Sequence, residues 1–153
     1  MTGADIFFAG AYMAKEVLNL EDLFTVDNEQ SGVWFEPKID GVPCGIEFLV
    51  TGTGTDENVA NSERYDKAVA EAEDIRDSVE RVREKKRLDA NRVAEFVKGI
   101  RSAGGKEVLY GGKPLEYSVP MIQQLLLKAP LIKAEIVRFA VKTENFIRRE
   151  KDA

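Results

Sequence analysis

The chain has 153 residues and carries 27 acidic against 22 basic side chains, so its formal net charge at pH 7 is -5. It contains no histidine and one cysteine, which excludes an intrachain disulfide and removes the commonest general base and metal ligand. The acidic excess disfavours a protein that neutralises nucleic-acid phosphates, and no run reaches the roughly 20 apolar residues that a membrane helix needs. We therefore expect one domain, residues 1–153, with no nucleic-acid or membrane partner.

The first third of the chain predicts an arm followed by a β-hairpin. Residues 1–20 mix aromatic and aliphatic side chains with few breakers, so they predict an arm or a short helix. Residues 21–52 predict a β-hairpin region, because side chains alternate with period two on both sides of the two-residue turn Asp40-Gly41. Pro37 and Pro43 cannot donate hydrogen bonds to a ladder, so we expect them at edges or irregular positions.

Residues 57–103 predict one long charged helix or two helices. Their apolar side chains recur at steps of three and four residues, which is a heptad seam: Tyr65, Ala68, Ala72, Ile75, Val79 and Val82. A second helix is expected from Asp89 as N-cap to Ser102, with Gly104-Gly105 as its stop. Four apolar residues would share one face of that helix: Val93, Phe96, Val97 and Ile100. One bent helix is the alternative.

Residues 118–149 predict a pair of helices. Ser118 suits an N-cap, and Pro120 falls in the first turn, where its missing N–H costs nothing. Pro130 ends the first helix of the pair. The second helix is expected from Leu131 to about residue 149.

A leucine triplet lies in the first of these two helices. Leu125, Leu126 and Leu127 cover most of a helix circumference, so either the domain core or another chain must bury them. The fold class expected from the whole pattern is α+β. We expect an N-terminal β-hairpin or small antiparallel sheet followed by a mainly α-helical region with about four helices.

The sequence contains no convincing catalytic, cofactor-binding or metal-binding motif. Gly52-x-Gly54-x-x-Glu57 has the place of a dinucleotide fingerprint, but its third position is not glycine. The carboxylates of Asp56 and Glu57 would also repel a pyrophosphate at the helix start. Cys44 has no histidine to activate its thiol and is interpreted as a small buried hydrophobe. We therefore predict a protein that is not an enzyme and that uses no cofactor.

The sequence instead offers apolar helix surface suited to contact with a partner or with other copies of the chain. The candidate contact residues lie in the seam and in the C-terminal helix pair. They are Tyr65, Ala72, Ile75, Val79, Leu125, Leu126, Ile136, Phe139 and Phe146.

A series of short motifs runs from about residue 20 to 148. It begins with Gly32-Val33-Trp34-Phe35-Glu36, the turn at Asp40-Gly41 and the charged helix. It continues through Gly112-Lys113-Pro114-Leu115-Glu116-Tyr117-Ser118, Leu125-Leu126, Ala129-Pro130-Leu131 and Glu144-Asn145-Phe146. In this order of elements the chain resembles the tail assembly chaperones of long-tailed bacteriophages.

The resemblance implies a non-enzymatic chaperone that coats the long, helical, apolar-rich tape measure protein before the tail tube polymerises. Such a protein acts in the host cell cytoplasm, is displaced during assembly and is absent from the mature virion. The resemblance further implies a homo-oligomer, the tail tube protein as a second partner and, in many members, a frameshifted longer form. A small acidic α+β chain with surplus apolar helix surface is compatible with such reversible contact.

The alternative function is a structural virion component of the phage tail or neck. In that case the β-hairpin would carry contacts between subunits of a ring. The two functions differ in one observable, because a structural subunit remains in mature particles and a chaperone does not.

Overall fold

A computed structural model of the chain describes residues 19–147. The fold is α+β as expected: small antiparallel sheets are followed by a mainly helical region, and the described residues include five α-helices. Thr25–Ile147 form one compact unit. Residues 19–24 belong to a second unit and contain a 3-10 helix, Leu20–Leu23, whose Glu21 N–H donates to Asn19 Oδ1 at 3.1 Å. The arm predicted for residues 1–20 lies outside the described residues except for its last two positions.

The N-terminal part of the compact unit contains one short helix and four short strands. These are α1 (Val26–Ser31), β1 (Val33–Phe35), β2 (Lys38–Ile39), β3 (Val42–Pro43) and β4 (Ile46–Val50). The turn predicted at Asp40-Gly41 is confirmed, because it joins β2 to β3 with φ of 54° at Asp40 and 78° at Gly41. Positive φ at both central positions is the backbone of a primed hairpin turn, which glycine accepts freely and Asp tolerates.

The long hairpin is interrupted between its base and its tip. β1 pairs with β4 and places Phe35 opposite Phe48, whereas β2 and β3 place Lys38 opposite Pro43. The two arms therefore contain different numbers of residues between these pairs, and the ladder breaks there. Pro37 lies in the break, and its carbonyl accepts a hydrogen bond from Cys44 N–H at 3.0 Å. Both prolines thus occupy the irregular or terminal positions that their missing N–H groups require.

The helix predicted from Asp89 to Ser102 is wrong, and so is the alternative of one bent helix. Asp89 lies inside α3, which runs Ser78–Ala94, and the chain then enters a strand, β5 (Val97–Ser102). β5 pairs antiparallel with β4 and completes a three-stranded sheet of order β1-β4-β5.

A β-bulge explains why the strand resembled a helix. Val97 pairs with Val50 and Gly99 pairs with Leu49, so Lys98 is the extra residue of the bulge. Ile100, three residues after Val97, therefore lies on the same face of the sheet. A spacing of three apolar residues on one face is the helical pattern that the sequence showed.

Two further helices form a hairpin before β5. α2 (Asp56–Ala72) and α3 (Ser78–Ala94) are separated by residues 73–77, which divide the predicted seam between two helices. Thr55 caps α2, since its Oγ1 accepts from Asn58 N–H at 3.1 Å. Asp77 caps α3, since its Oδ1 accepts from the N–H groups of Val79 and Glu80 at 2.9 and 3.0 Å. The cap at Asp77 lies inside the charged segment and starts a new helix there, which explains why the segment forms two helices.

The C-terminal part contains the helix pair and a second small hairpin. Its elements are β6 (Leu109–Tyr110), β7 (Lys113–Pro114), α4 (Val119–Lys128), α5 (Pro130–Ala140) and a 3-10 helix (Thr143–Phe146). The predicted cap is confirmed, because Ser118 Oγ accepts from Met121 N–H at 3.2 Å. Pro130 ends α4 and begins α5.

The second C-terminal helix is shorter than predicted. α5 ends at Ala140, not near residue 149, and residues 148–153 lie outside the described range. Asn145 Nδ2 donates to the carbonyl of Phe139 at 2.9 Å and so satisfies one of the free carbonyls at the helix end. The chain then turns through the 3-10 helix and inserts Phe146 into the protein, where its side chain is fully buried.

One core lies between the sheet and three helices. The sheet contributes Phe48, Val50 and Val97, and the helices contribute residues from α4, α5 and the C-terminal half of α3. The helical members of the cluster are Ala90, Val93, Ala94, Ile122, Leu126, Ile136 and Ala140. α1 joins this unit through Asn28 Nδ2, which donates to the Phe146 carbonyl at 2.8 Å.

Candidate protein-binding surfaces

The half of the α2–α3 hairpin near residues 73–77, which we call the distal half, buries few side chains. Between Ser62 and Asp89, Ala72 is the one buried residue. α2 packs mainly on α3, whereas α3 reaches the core through its C-terminal half, where Ala90, Val93 and Ala94 are buried. The end of the hairpin near residues 73–77 is therefore largely exposed.

The side of α3 that faces α2 in this distal half is charged. Arg81 Nη1 donates to the carbonyl of Ile75 at 2.9 Å, and Lys85 forms an ion pair with Glu73. The hydrogen bond from Lys85 lowers the pKa of the Glu73 carboxyl below its ordinary value of 4.5, and the Coulombic attraction of the same ammonium adds to the effect. These contacts brace the connection between the two helices.

The apolar residues of this half of α3 lie on its other side. At about 100° per residue, Val79 and Val82 lie away from the face that carries Arg81 and Lys85. They are 58% and 49% exposed. We call the exposed strip of Val79, Val82, Arg83 and Lys86 the outer face of α3; it combines two valines with two cations.

The residues of the predicted seam therefore belong to two different surfaces. Tyr65 is half-buried and Ala72 is buried in the hairpin, while Ile75 is half-buried in the connection. Burial raises the pKa of Tyr65, and the nearby Asp89 raises it further. Val79 is separated from these three residues and faces solvent. Of the candidate contact residues in the seam, Val79 alone is on a free surface.

The C-terminal candidates are mostly core residues. Leu126, Ile136 and Phe146 are at most 1% exposed, so the prediction that they contact a partner is corrected: they pack inside their own chain. Leu125 and Phe139 are half-buried and pack against the same core. The leucine triplet is divided accordingly, because Leu126 fills the core, Leu125 covers its edge and Leu127 is 39% exposed.

An open cleft next to Phe139 was not predicted from the sequence. The rings of Phe35 and Phe139 stack with centroids 4.3 Å apart and an interplanar angle of 18°, and Phe146 meets Phe139 edge-on at 5.6 Å. The cleft has a volume of about 150 Å³. It is lined by Phe35, Glu135, Arg138, Phe139, Lys142 and Asn145, and we call it the aromatic cleft.

The rim of the aromatic cleft is polar and carries more positive than negative charge. Glu135 and Arg138 form an ion pair one turn apart on α5. Lys142 forms no ion pair with the rest of residues 19–147. Asn145 is held in place by its hydrogen bond to the Phe139 carbonyl. The cleft therefore presents an aromatic wall and a rim of net positive charge.

No sequence signal could have located this cleft as a unit. The alternation of the first hairpin arm places Phe35 on the same side as Val33, and the helical spacing places Phe139 on an apolar face. The two residues are far apart along the chain, however, and their stacking depends on how α5 lies against the strands.

Residues 19–147 contain no cluster of three or more cysteine and carboxylate side chains that would hold a metal ion. Within the same range, no helix is both long enough and apolar enough to cross a membrane. Comparisons with protein-family models, with curated proteins and with solved structures find no match for the chain.

Proposed function

We propose that the chain is a non-enzymatic phage tail assembly chaperone that binds the tape measure protein and supports tail tube assembly. It acts in the host cell cytoplasm and leaves before the virion is mature. The observation that supports the proposal best is the outer face of α3, where Val79 and Val82 are exposed in a part of the hairpin whose one buried residue between Ser62 and Asp89 is Ala72. A long apolar-rich helix, as the resemblance implies for the tape measure protein, would cover this face.

The size of the contact suits a chaperone that must be displaced. Fully burying one valine side chain contributes about 1.5–3 kcal/mol at most, so two valines give a weak contact at each site. Arg83 and Lys86 flank the valines and favour carboxylates on the partner helix. Many weak sites along one partner can hold it by avidity and still be released one by one.

Self-association through the same hairpin is part of the proposal. α2 contains five carboxylates and two basic residues, whereas α3 contains six basic residues and three carboxylates. The acidic helix of one copy would therefore attract the basic helix of another. Sedimentation velocity at low and high salt tests this arrangement, and we expect the larger species to decline as salt screens the helices.

The test of chaperone function is co-expression with the tape measure protein followed by pull-down. The variant carries Val79→Asp and Val82→Asp, which place two carboxylates in the proposed apolar contact. The matched control is Leu131→Asp, because Leu131 is 66% exposed on a different helix. We expect the double variant to keep the melting temperature of the parent and to lose capture of the partner, while the control retains it. Equal capture by all three proteins would contradict the proposal.

A structural virion component is the second candidate. Two small hairpins carry exposed apolar side chains, with Val42 64% and Leu109 57% exposed, and such side chains could form contacts between subunits. Mass spectrometry of purified mature particles decides between the two functions. A stoichiometric amount of the chain in those particles would favour the structural function and exclude a chaperone that leaves.

A further inference from the structure

We infer that the aromatic cleft binds one aromatic or leucine side chain of an acidic peptide segment, with a carboxylate of the peptide placed on Lys142. The inference concerns the chemistry of the ligand and does not depend on the identity of the tape measure protein as a partner. It is carried by the volume of the cleft, by its preformed aromatic wall and by the charges on its rim.

The volume of the cleft matches a single side chain. A cavity of about 150 Å³ lined by apolar side chains is large enough to take a benzene molecule. The aromatic cleft has the same size and is open on one side. One phenyl or isobutyl group can therefore enter from the surface, while a whole helix cannot.

The wall of the cleft is formed before any ligand arrives. Phe139 stacks on Phe35 and meets Phe146 edge-on. Phe146 is itself fully buried, and Asn28 fixes its carbonyl. A ligand therefore does not have to order these rings, which removes part of the entropic cost of binding. A phenyl ring that enters beside Phe139 would also gain an aromatic contact.

The charges on the rim select for a carboxylate next to the apolar group. Arg138 and Glu135 already satisfy one another on α5. Lys142 has no such partner among residues 19–147, so a carboxylate placed on it breaks no ion pair within that range. The cleft therefore offers a cation beside an aromatic wall, whereas the outer face of α3 offers cations beside two valines.

The experiment titrates the full-length chain, labelled with ¹⁵N, with three short peptides while amide shifts are recorded. The first peptide contains one phenylalanine between two glutamates in a glycine background. The second replaces the phenylalanine with alanine, and the third replaces both glutamates with lysine. We expect the first peptide to shift the amides of residues 135–146 and the side-chain amide of Asn145. Loss of the phenyl group should weaken binding about 10- to 100-fold, in line with the burial of one large apolar side chain.

A charge-reversal variant tests the role of Lys142. Lys142→Glu should weaken binding of the first peptide by about five-fold or more, because an exposed ion pair is replaced by repulsion. The control is Lys128→Glu, which reverses another exposed lysine, at the end of α4 and outside the cleft lining, and should leave binding unchanged. Neither lysine is buried, so both variants should fold.

Several outcomes would overturn the inference. Equal binding of all three peptides, or shifts that do not include residues 135–146, would show that the cleft does not select this chemistry. None of these results bears on the pull-down with the tape measure protein, which tests the outer face of α3 instead.

Discussion

The two halves of α3 differ in whether their apolar side chains are buried. The C-terminal half buries Ala90, Val93 and Ala94 against the sheet, α4 and α5, whereas the N-terminal half leaves Val79 and Val82 in solvent. Both halves are helical and both contain apolar residues. An apolar side chain on this helix stabilises the fold where other elements of the chain pack against it. It remains available to a partner where none does.

The largest effect is expected where the packed half of the molecule is damaged. Ile136 is fully buried on α5 within the core cluster. Ile136→Ala should lower the free energy of unfolding by about 2–5 kcal/mol, because it removes apolar contacts and leaves a cavity. For a domain with a typical stability of about 5–15 kcal/mol, urea unfolding will resolve this change readily.

The control for Ile136→Ala lies on the same helix. Leu131 is 66% exposed, so Leu131→Ala should change stability by no more than about 0.5 kcal/mol. If the two substitutions gave similar losses, the division of α5 into a core side and a free side would be wrong.

A smaller effect is expected at the cap between α2 and α3. Asp77→Ala removes the acceptor for the N–H groups of Val79 and Glu80 and should cost about 0.5–2 kcal/mol. Because the distal half of the hairpin packs on little else, we expect the loss to be local. Amide hydrogen exchange should speed up over the first turns of α3 and change little at Ala90 and Val93.

Ser118→Ala provides the comparison for this cap. Ser118 caps α4, whose Ile122 and Leu126 are core residues. Loss of that cap should therefore lower the global stability and raise exchange throughout the compact unit. A uniform increase of exchange in both variants would mean that the distal half unfolds together with the core.

The same comparison explains which elements the sequence could predict. Local chemistry sufficed for the turn at Asp40-Gly41, the cap at Ser118 and the helix boundary at Pro130, because each depends on a few adjacent residues. The general α+β class followed from the change of apolar period along the chain. These features need no knowledge of distant contacts.

The errors arose where distant contacts decide the structure. The spacing of Val97 and Ile100 predicts a helix, whereas the bulge at Lys98, which exists only in the pairing with β4, puts both residues on one face of a strand. The periodic spacing predicts one seam because it does not reveal the cap at Asp77, which begins α3 and divides the seam. The aromatic cleft needs Phe35 and Phe139 to meet across the fold, which periodicity cannot reveal.

The smallest expected effect concerns the brace in the distal half, where Lys85 contacts Glu73. Lys85→Met removes the hydrogen bond that lowers the pKa of Glu73, so this pKa should rise toward its ordinary value of 4.5 in an NMR titration. A lowered pKa stabilises the fold at pH above the unfolded value, and that contribution is lost as pH falls through the folded value. When the pH is lowered below 4.5, the free energy of unfolding of the variant should therefore fall slightly less than that of the parent. The side chains of Lys85 and Glu73 are 38% and 54% exposed, so water screens the pair and keeps the effect small at neutral pH.

Glu84 supplies the internal control for that titration. Its pKa is lowered by a hydrogen bond from Arg87 on the same helix and does not depend on the brace. If Lys85→Met raised the pKa of Glu73 and left that of Glu84 unchanged, the two helices would be held together in solution at residues 73 and 85. If both pKa values rose together, α3 itself would be fraying. The distal half would then owe its helical structure to the brace, and the outer face of α3 would form only while Lys85 and Glu73 remain paired.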